Sequence, residues 1–119
     1  MSFLRRLFAR VQESDQDRLA DEIREWAADV PDTQRIGDAP ARTQVKLAGV
    51  VKRIRVNPVE GNEAIEAVLT DGTGEMQVVW MGRRTIRGLT LGTSEVVEGV
   101  VGERRAGRKM VNPKFEFRG

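Results

Sequence analysis

The sequence predicts a mainly β domain, a small closed five-stranded barrel, with an α-helical extension at its N-terminus. Three observations carry this reading. Apolar residues recur at helical spacing as far as Pro31. From residue 43 onward the period falls to two, in five separate runs. Glycine or proline stands in each junction between those runs. With 119 residues, 39% of them apolar, the chain is long enough for one core. We read residues 1–30 as the helical extension, 31–42 as a linker and 43–119 as the barrel.

In the extension, Ser14 is a candidate N-cap, followed by acidic residues that suit the positive end of a helix dipole. Leu19, Ile23, Trp26 and Val30 then share one face until Pro31 ends the pattern. A separate stripe of Phe3, Leu4, Leu7, Phe8 and Val11 lies upstream, flanked by Arg5, Arg6 and Arg10. The acidic run ESDQD separates the stripes, which implies a break near Ser14 or one long helix with two faces. A basic amphipathic segment can lie on a membrane surface, but the acids that follow oppose this. The expected role is packing on the barrel, on a second copy or on a partner protein.

The stretch PDTQRIGDAPART has no period, and Pro31, Gly37 and Pro40 mark it as the linker. The first strand, TQVKLAGVVKRIRV, alternates Val45, Leu47, Gly49 and Val51 against Gln44, Lys46, Ala48 and Val50. Ile54 and Val56 then take up a different register, and Gly49 beside that change implies a bulge and a sharp bend. NPVEGN is the turn to the second strand, EAIEAVLT; DGTG leads to the third, EMQVVWM. GRRTIRGLTLGTS leaves room for one short helical turn before EVVEGVVGE, the fourth strand. After the basic turn RRAGRK comes MVNPKFEFRG, an edge or bulged strand because Pro113 has no N–H to donate. A long bent first strand and an interruption between the third and fourth are the inventory of the OB-fold rather than of an SH3-like barrel.

Chemically the chain is sparse. It has no cysteine, histidine or tyrosine, which removes disulfides, thiolate and imidazole metal ligands and the commonest general base. We therefore expect no enzyme, no cofactor and no metal. No apolar run approaches the roughly 20 residues of a membrane span, and no signal peptide is legible at the N-terminus, so a cytoplasmic location is expected. DGTG lacks the spacing and the Lys-Ser/Thr pair of a phosphate-cradling loop. Its expected task is a hairpin turn, with Gly72 and Gly74 at positive φ and Asp71 bonded to the local backbone.

The same residues carry a resemblance. LTDGTGEMQVVW resembles the second hairpin of tRNA-anticodon-type OB domains of aspartyl-type tRNA synthetases, with Asp71, Gly74 and Gln77 matching. The later IRGLTLGTSEVVEGVVGERRAGRKMVNPKFEF resembles the second half of that family and the OB wedge of a branched-DNA helicase. The whole, over residues 43–117, is similar to small stand-alone OB proteins predicted in actinobacteria. Where the synthetases carry a base-stacking aromatic on the second strand, this chain has Glu66. The resemblance implies binding of single-stranded or structured nucleic acid rather than anticodon reading, with Gln77 as a base contact.

Charge supports the same partner. Residues 1–40 have a net charge of −3 and residues 41–119 of +5, and arginine outnumbers lysine 16 to 4. The expected phosphate contacts form three groups with few acids nearby: Lys52, Arg53 and Arg55; Arg83, Arg84 and Arg87; Arg104, Arg105, Arg108 and Lys109. Gln77, Val79 and Met81 are expected on the outer face with Glu66 and Val68, while Met76, Val78 and Trp80 point inward. Phe115 and Phe117 belong with the core. The alternative from another class is a protein-interaction adaptor, in which the barrel is structural and the N-terminal helix docks the partner.

Overall fold

The computed structural model describes residues 13–59, 62–104 and 107–118, without the side chains of 13–16, 57–59, 62 and 104. Helix α1, Glu13–Ala28, is followed by a 3-10 turn, Ile36–Asp38, and seven strands: β1 Gln44–Val59, β2 Asn62–Thr70, β3 Glu75–Met81, β4 Ser94–Val100, β5 Gly102–Arg104, β6 Gly107–Val111 and β7 Lys114–Arg118. Ser14 lies inside α1 rather than at its cap, and the upstream stripe of Phe3 to Val11, with Arg5, Arg6 and Arg10, lies outside the described residues.

The expected closed five-stranded barrel is corrected to an open seven-stranded sheet, ordered β5-β6-β3-β2-β1-β4-β7. Two chain breaks explain the difference. The fourth run splits at Val101, which is fully buried; its N–H donates to the Thr43 carbonyl (3.1 Å) and its carbonyl accepts from the Arg42 N–H (2.7 Å). The fifth run splits at Asn112–Pro113. Asn112 takes a positive φ of 52° and donates its N–H to the Val79 carbonyl at 2.7 Å. As a result β6 pairs in parallel with β3, while β7 turns back to pair with β4. β7 holds the place on β4 that a closing ladder would need. As an end strand β7 also meets the expectation set by Pro113.

The strands alternate as their periods predict. Val45, Leu47, Val51, Ile65, Ala67, Leu69, Met76, Val78, Trp80, Val97 and Met110 pack into one core enclosed by the curl of the sheet. Trp80 is 3% exposed, donates Nε1–H to the Pro113 carbonyl (3.3 Å), and meets Phe115 edge-on with ring centres 5.1 Å apart. Phe115 and Phe117 lie half-buried against this core. The connection from 82 to 93 forms turns without a helix, and its Ile86 and Leu89 close one end of the core.

Leu19, Ile23 and Trp26 of α1 pack on Val50, and Ala27 and Val30 on Ala48 and Val96. The helix therefore lies on the sheet, covering the outward side of the first half of β1. This is why Val50 and Ala48, opposite in phase to the residues that face the main core, are also apolar. The bulge falls at Lys52, between Val51 and Arg53, rather than beside Gly49. Gly49 serves close packing instead: a Cβ there would sit 3.1 Å from the Thr70 carbonyl oxygen and 3.4 Å from Ile36. Ile36, in the segment read as a linker, is fully buried in the core.

Facing Gly49 across the β1–β4 ladder is Glu95, fully buried on the interior side with both carboxylate oxygens lacking a hydrogen-bond partner. Burial pushes its carboxyl up to about 8.

Candidate nucleic-acid interface

The DGTG turn is structural. Gly72 takes a positive φ of 84°, and a Cβ there would lie 2.6 Å from the Ala20 carbonyl oxygen, so α1 rests directly on the turn. Arg24 fixes the contact by donating to the Gly72 carbonyl at 2.8 Å. Gly74, expected at positive φ, is not among the positive-φ residues; it backs closely on Gly37 instead. Asp71 accepts from the Thr73 N–H (2.9 Å) and hydroxyl (2.6 Å), and also from the Ile36 N–H (2.8 Å). This carboxylate ties the 3-10 turn to the hairpin.

A candidate surface is built on the outer side of four strands. After the bulge at Lys52, Arg53 and Arg55 point to the side opposite the core. Two cross-strand rows result. One runs Arg53, Val68, Gln77, Lys109 and the other Arg55, Glu66, Val79, Val111. Each row begins with an arginine on β1 and crosses an apolar or polar middle; the first ends in Lys109 on β6. The parallel β3–β6 pairing brings Lys109 beside Gln77, which no local pattern in the sequence reveals. A shallow groove of about 430 Å³ continues past Lys109 and Val111 to Lys114, Gln44 and Asn112.

In the middle of the surface sits a polar triad. Glu66 is 9% exposed, and its Oε2 accepts from Arg55 Nη2 at 2.9 Å and from Gln77 Nε2 at 3.3 Å. Gln77 and Met81 are half-buried on the outer side as expected, whereas Val79 is buried at 3%. Trp80, being core, offers no stacking platform here.

The expected scarcity of acids near the basic groups is not found. Lys52 pairs with Glu75, Arg55 with Glu66, and Arg84 with Glu63 at 3.2 Å. Lys52, Arg53, Arg55, Gln77 and Lys109 come together on one surface. Arg108 does not join them; it donates to the Ala39 carbonyl at 2.8 Å, half-buried beside the 3-10 turn. Arg83 lies 6.0 Å over the Phe115 ring and Arg87 is exposed on the 82–93 connection, so this group sits at the end of the core rather than on the four-strand surface. Arg105 and the side chain of Arg104 lie outside the described residues.

The family model of the tRNA anticodon-type OB-fold nucleic acid binding domain matches residues 45–117. The chain belongs to this family. Solved OB-fold structures resemble it at low identity. RecG bound to a three-way DNA junction superposes with a TM-score of 0.62 at 16% identity, over 96% of this chain and 18% of RecG. A Replication Protein A heterotrimer bound to ssDNA gives 0.52 at 18%, over 71% of this chain and 63% of that one. The S. pombe Stn1–Ten1 complex gives 0.51 at 19%, over 63% and 57%. The chain thus covers about three fifths of the length of the last two. At such identities the likeness shows the fold. No curated protein matches the sequence. Among the described residues no helix is long and apolar enough to cross a membrane, and no group of three or more acidic side chains is placed to hold a metal.

Proposed function

We propose that this OB domain binds single-stranded or structured nucleic acid without catalysis, along the outer surface of β1, β2, β3 and β6. The observation that carries the reading is the pair of cross-strand rows, cationic at Arg53, Arg55 and Lys109 around a floor of Val68, Gln77 and Glu66. Backbone phosphates pass at the cationic ends while bases lie over the floor. Family membership over residues 45–117 supports it, as do neighbours solved with DNA. Lys52, Arg53, Arg55, Gln77 and Lys109 are the proposed contacts, and Arg83, Arg84 and Arg87 extend them at the periphery. Arg108 is assigned instead to holding the 3-10 turn. The exposed acids of α1, Asp17, Asp21, Glu22 and Glu25, repel phosphate from the half of β1 that the helix covers and so confine the strand to the open half.

With no aromatic on the described outer surface, affinity rests on charge and falls steeply with salt. Titration of labelled single-stranded DNA, single-stranded RNA and duplex at two salt concentrations tests this. Saturable, salt-sensitive binding to at least one of them is expected; no binding to any at low salt overturns the reading. A specific observation favours the adaptor as a second reading: three of the expected phosphate ligands already have protein carboxylates as partners.

A further inference from the structure

Resting on the nucleic-acid reading, we propose that Glu66, with Gln77 and Arg55, makes the centre of this surface a guanine-selecting subsite. A carboxylate is the wrong charge for a phosphate, yet Glu66 is nearly buried at the midpoint of a basic surface, between Arg55 on β1 and Gln77 on β3. The Arg55 guanidinium, 2.9 Å from Oε2, offsets its charge and holds the side chain in place. A carboxylate only accepts, so the Gln77 group facing it at 3.3 Å is the amide NH2. The Gln77 carbonyl is thereby turned to the other side. The centre of the surface thus carries two kinds of acceptor, a carboxylate and an amide carbonyl, with a guanidinium beside them.

Among the bases, guanine alone presents two adjacent N–H donors, N1–H and the N2 amino group, next to an acceptor, O6. Its N1–H and N2 amino group match the two oxygens of the Glu66 carboxylate, and its O6 matches the Arg55 guanidinium beside it. Uracil and thymine offer a single N–H between two carbonyls, which would face Glu66 and Gln77 with acceptor against acceptor. Adenine and cytosine each bring one amino group and satisfy one acceptor. Sequence-selective recognition of single strands works through such edges. Discrimination at one well-placed pair is worth on the order of tenfold or more in affinity. Glu66 is then a specificity residue, standing where the resembling synthetases stack an aromatic.

The test compares an oligothymidylate with the same strand carrying isolated guanines, spaced to prevent quadruplexes, against wild-type protein and Glu66→Gln. The wild type should prefer the guanine strand by about tenfold. In Glu66→Gln that ratio should fall towards one, because the carboxylate that accepts from N1–H and the N2 amino group has gone. Equal wild-type affinity for both strands, or an undiminished preference in a folded Glu66→Gln, overturns the guanine subsite and leaves the nucleic-acid reading standing. Failure of the wild type to bind either strand overturns the guanine subsite, and failure to bind single-stranded DNA, single-stranded RNA and duplex alike overturns both. The wild-type ratio alone decides the matter if Glu66→Gln does not fold.

Discussion

The two halves of β1 share one strand and one outward side yet meet opposite fates. Before the bulge at Lys52, the outward residues Ala48 and Val50 are buried under α1 at 1% and 0% exposure. After it, the outward residues are Arg53 and Arg55, both exposed. The first half is a floor for a helix and the second is open for a ligand. One inserted residue separates them, since a bulge both bends the strand and resets which side chains face out. Stability and binding are thus divided along one strand, and substitutions in the two halves should separate them.

The interior shared by both halves gives the largest effect. Trp80→Ala removes a buried ring that contacts Phe115 and should cost about 3–5 kcal/mol of stability. Thermal or urea unfolding checks this, and an unchanged melting temperature would return Trp80 to the binding surface. Beneath the covered half, Ile23→Ala should cost about 2–5 kcal/mol, for Ile23 is 2% exposed against Val50. Nucleic-acid affinity of the folded fraction should not change, which a titration well below the melting temperature measures. A loss of binding there would make α1 part of the interface.

Glu95 gives the same comparison a pH axis. Its folded-state carboxyl lies near 8 against an unfolded value of 4.5, so the folded chain holds a proton that the unfolded chain has lost. The stabilisation is complete below about 4.5 and is lost as pH rises through about 8, at about 1.4 kcal/mol per pH unit. Across the two ladders it faces Gly49 and Phe117, neither of which carries a charge. Urea unfolding from pH 5 to 9 should show the decline in wild type and a flatter profile in Glu95→Gln. Parallel profiles would place the carboxyl in contact with solvent.

On the open half, the double change Arg53→Ala with Lys109→Ala should leave stability within about 0.5 kcal/mol. It should weaken binding to all strands alike and flatten the slope of log K against log salt by about 0.7 per lost contact on a single strand. If the slope is unchanged, the phosphates pass elsewhere, and the peripheral Arg83, Arg84 and Arg87 are the next candidates.

Much of this was legible in the chain. Period two placed Met76, Val78 and Trp80 inside and Gln77 outside; period 3.6 gave α1 its Leu19–Ile23–Trp26 face; the glycines of DGTG marked a turn. These are local properties, since a side chain's direction depends only on its neighbours along the backbone. The order of the motifs also carried the family, and with it the expectation of a nucleic-acid ligand. Other features depend on residues far apart in sequence. The breaks at Val101 and Asn112–Pro113 open the sheet because Thr43, Arg42 and Val79 offer those backbone groups partners from other elements. The acids that pair with Lys52, Arg55 and Arg84 come from 11 to 23 residues away, so counting charges along the chain missed them. Lys109 reaches Gln77 only through a parallel pairing, and Arg108 is turned away by the carbonyl of Ala39. The sequence by itself determined which residues can be inside, where the chain turns and what family it belongs to, because short-range sterics and apolar periodicity act locally. Only the tertiary structure decided which charges are already paired, that Glu95 is sealed in the core, and that Glu66 stands between Arg55 and Gln77, because electrostatics and desolvation depend on neighbours that folding alone brings together.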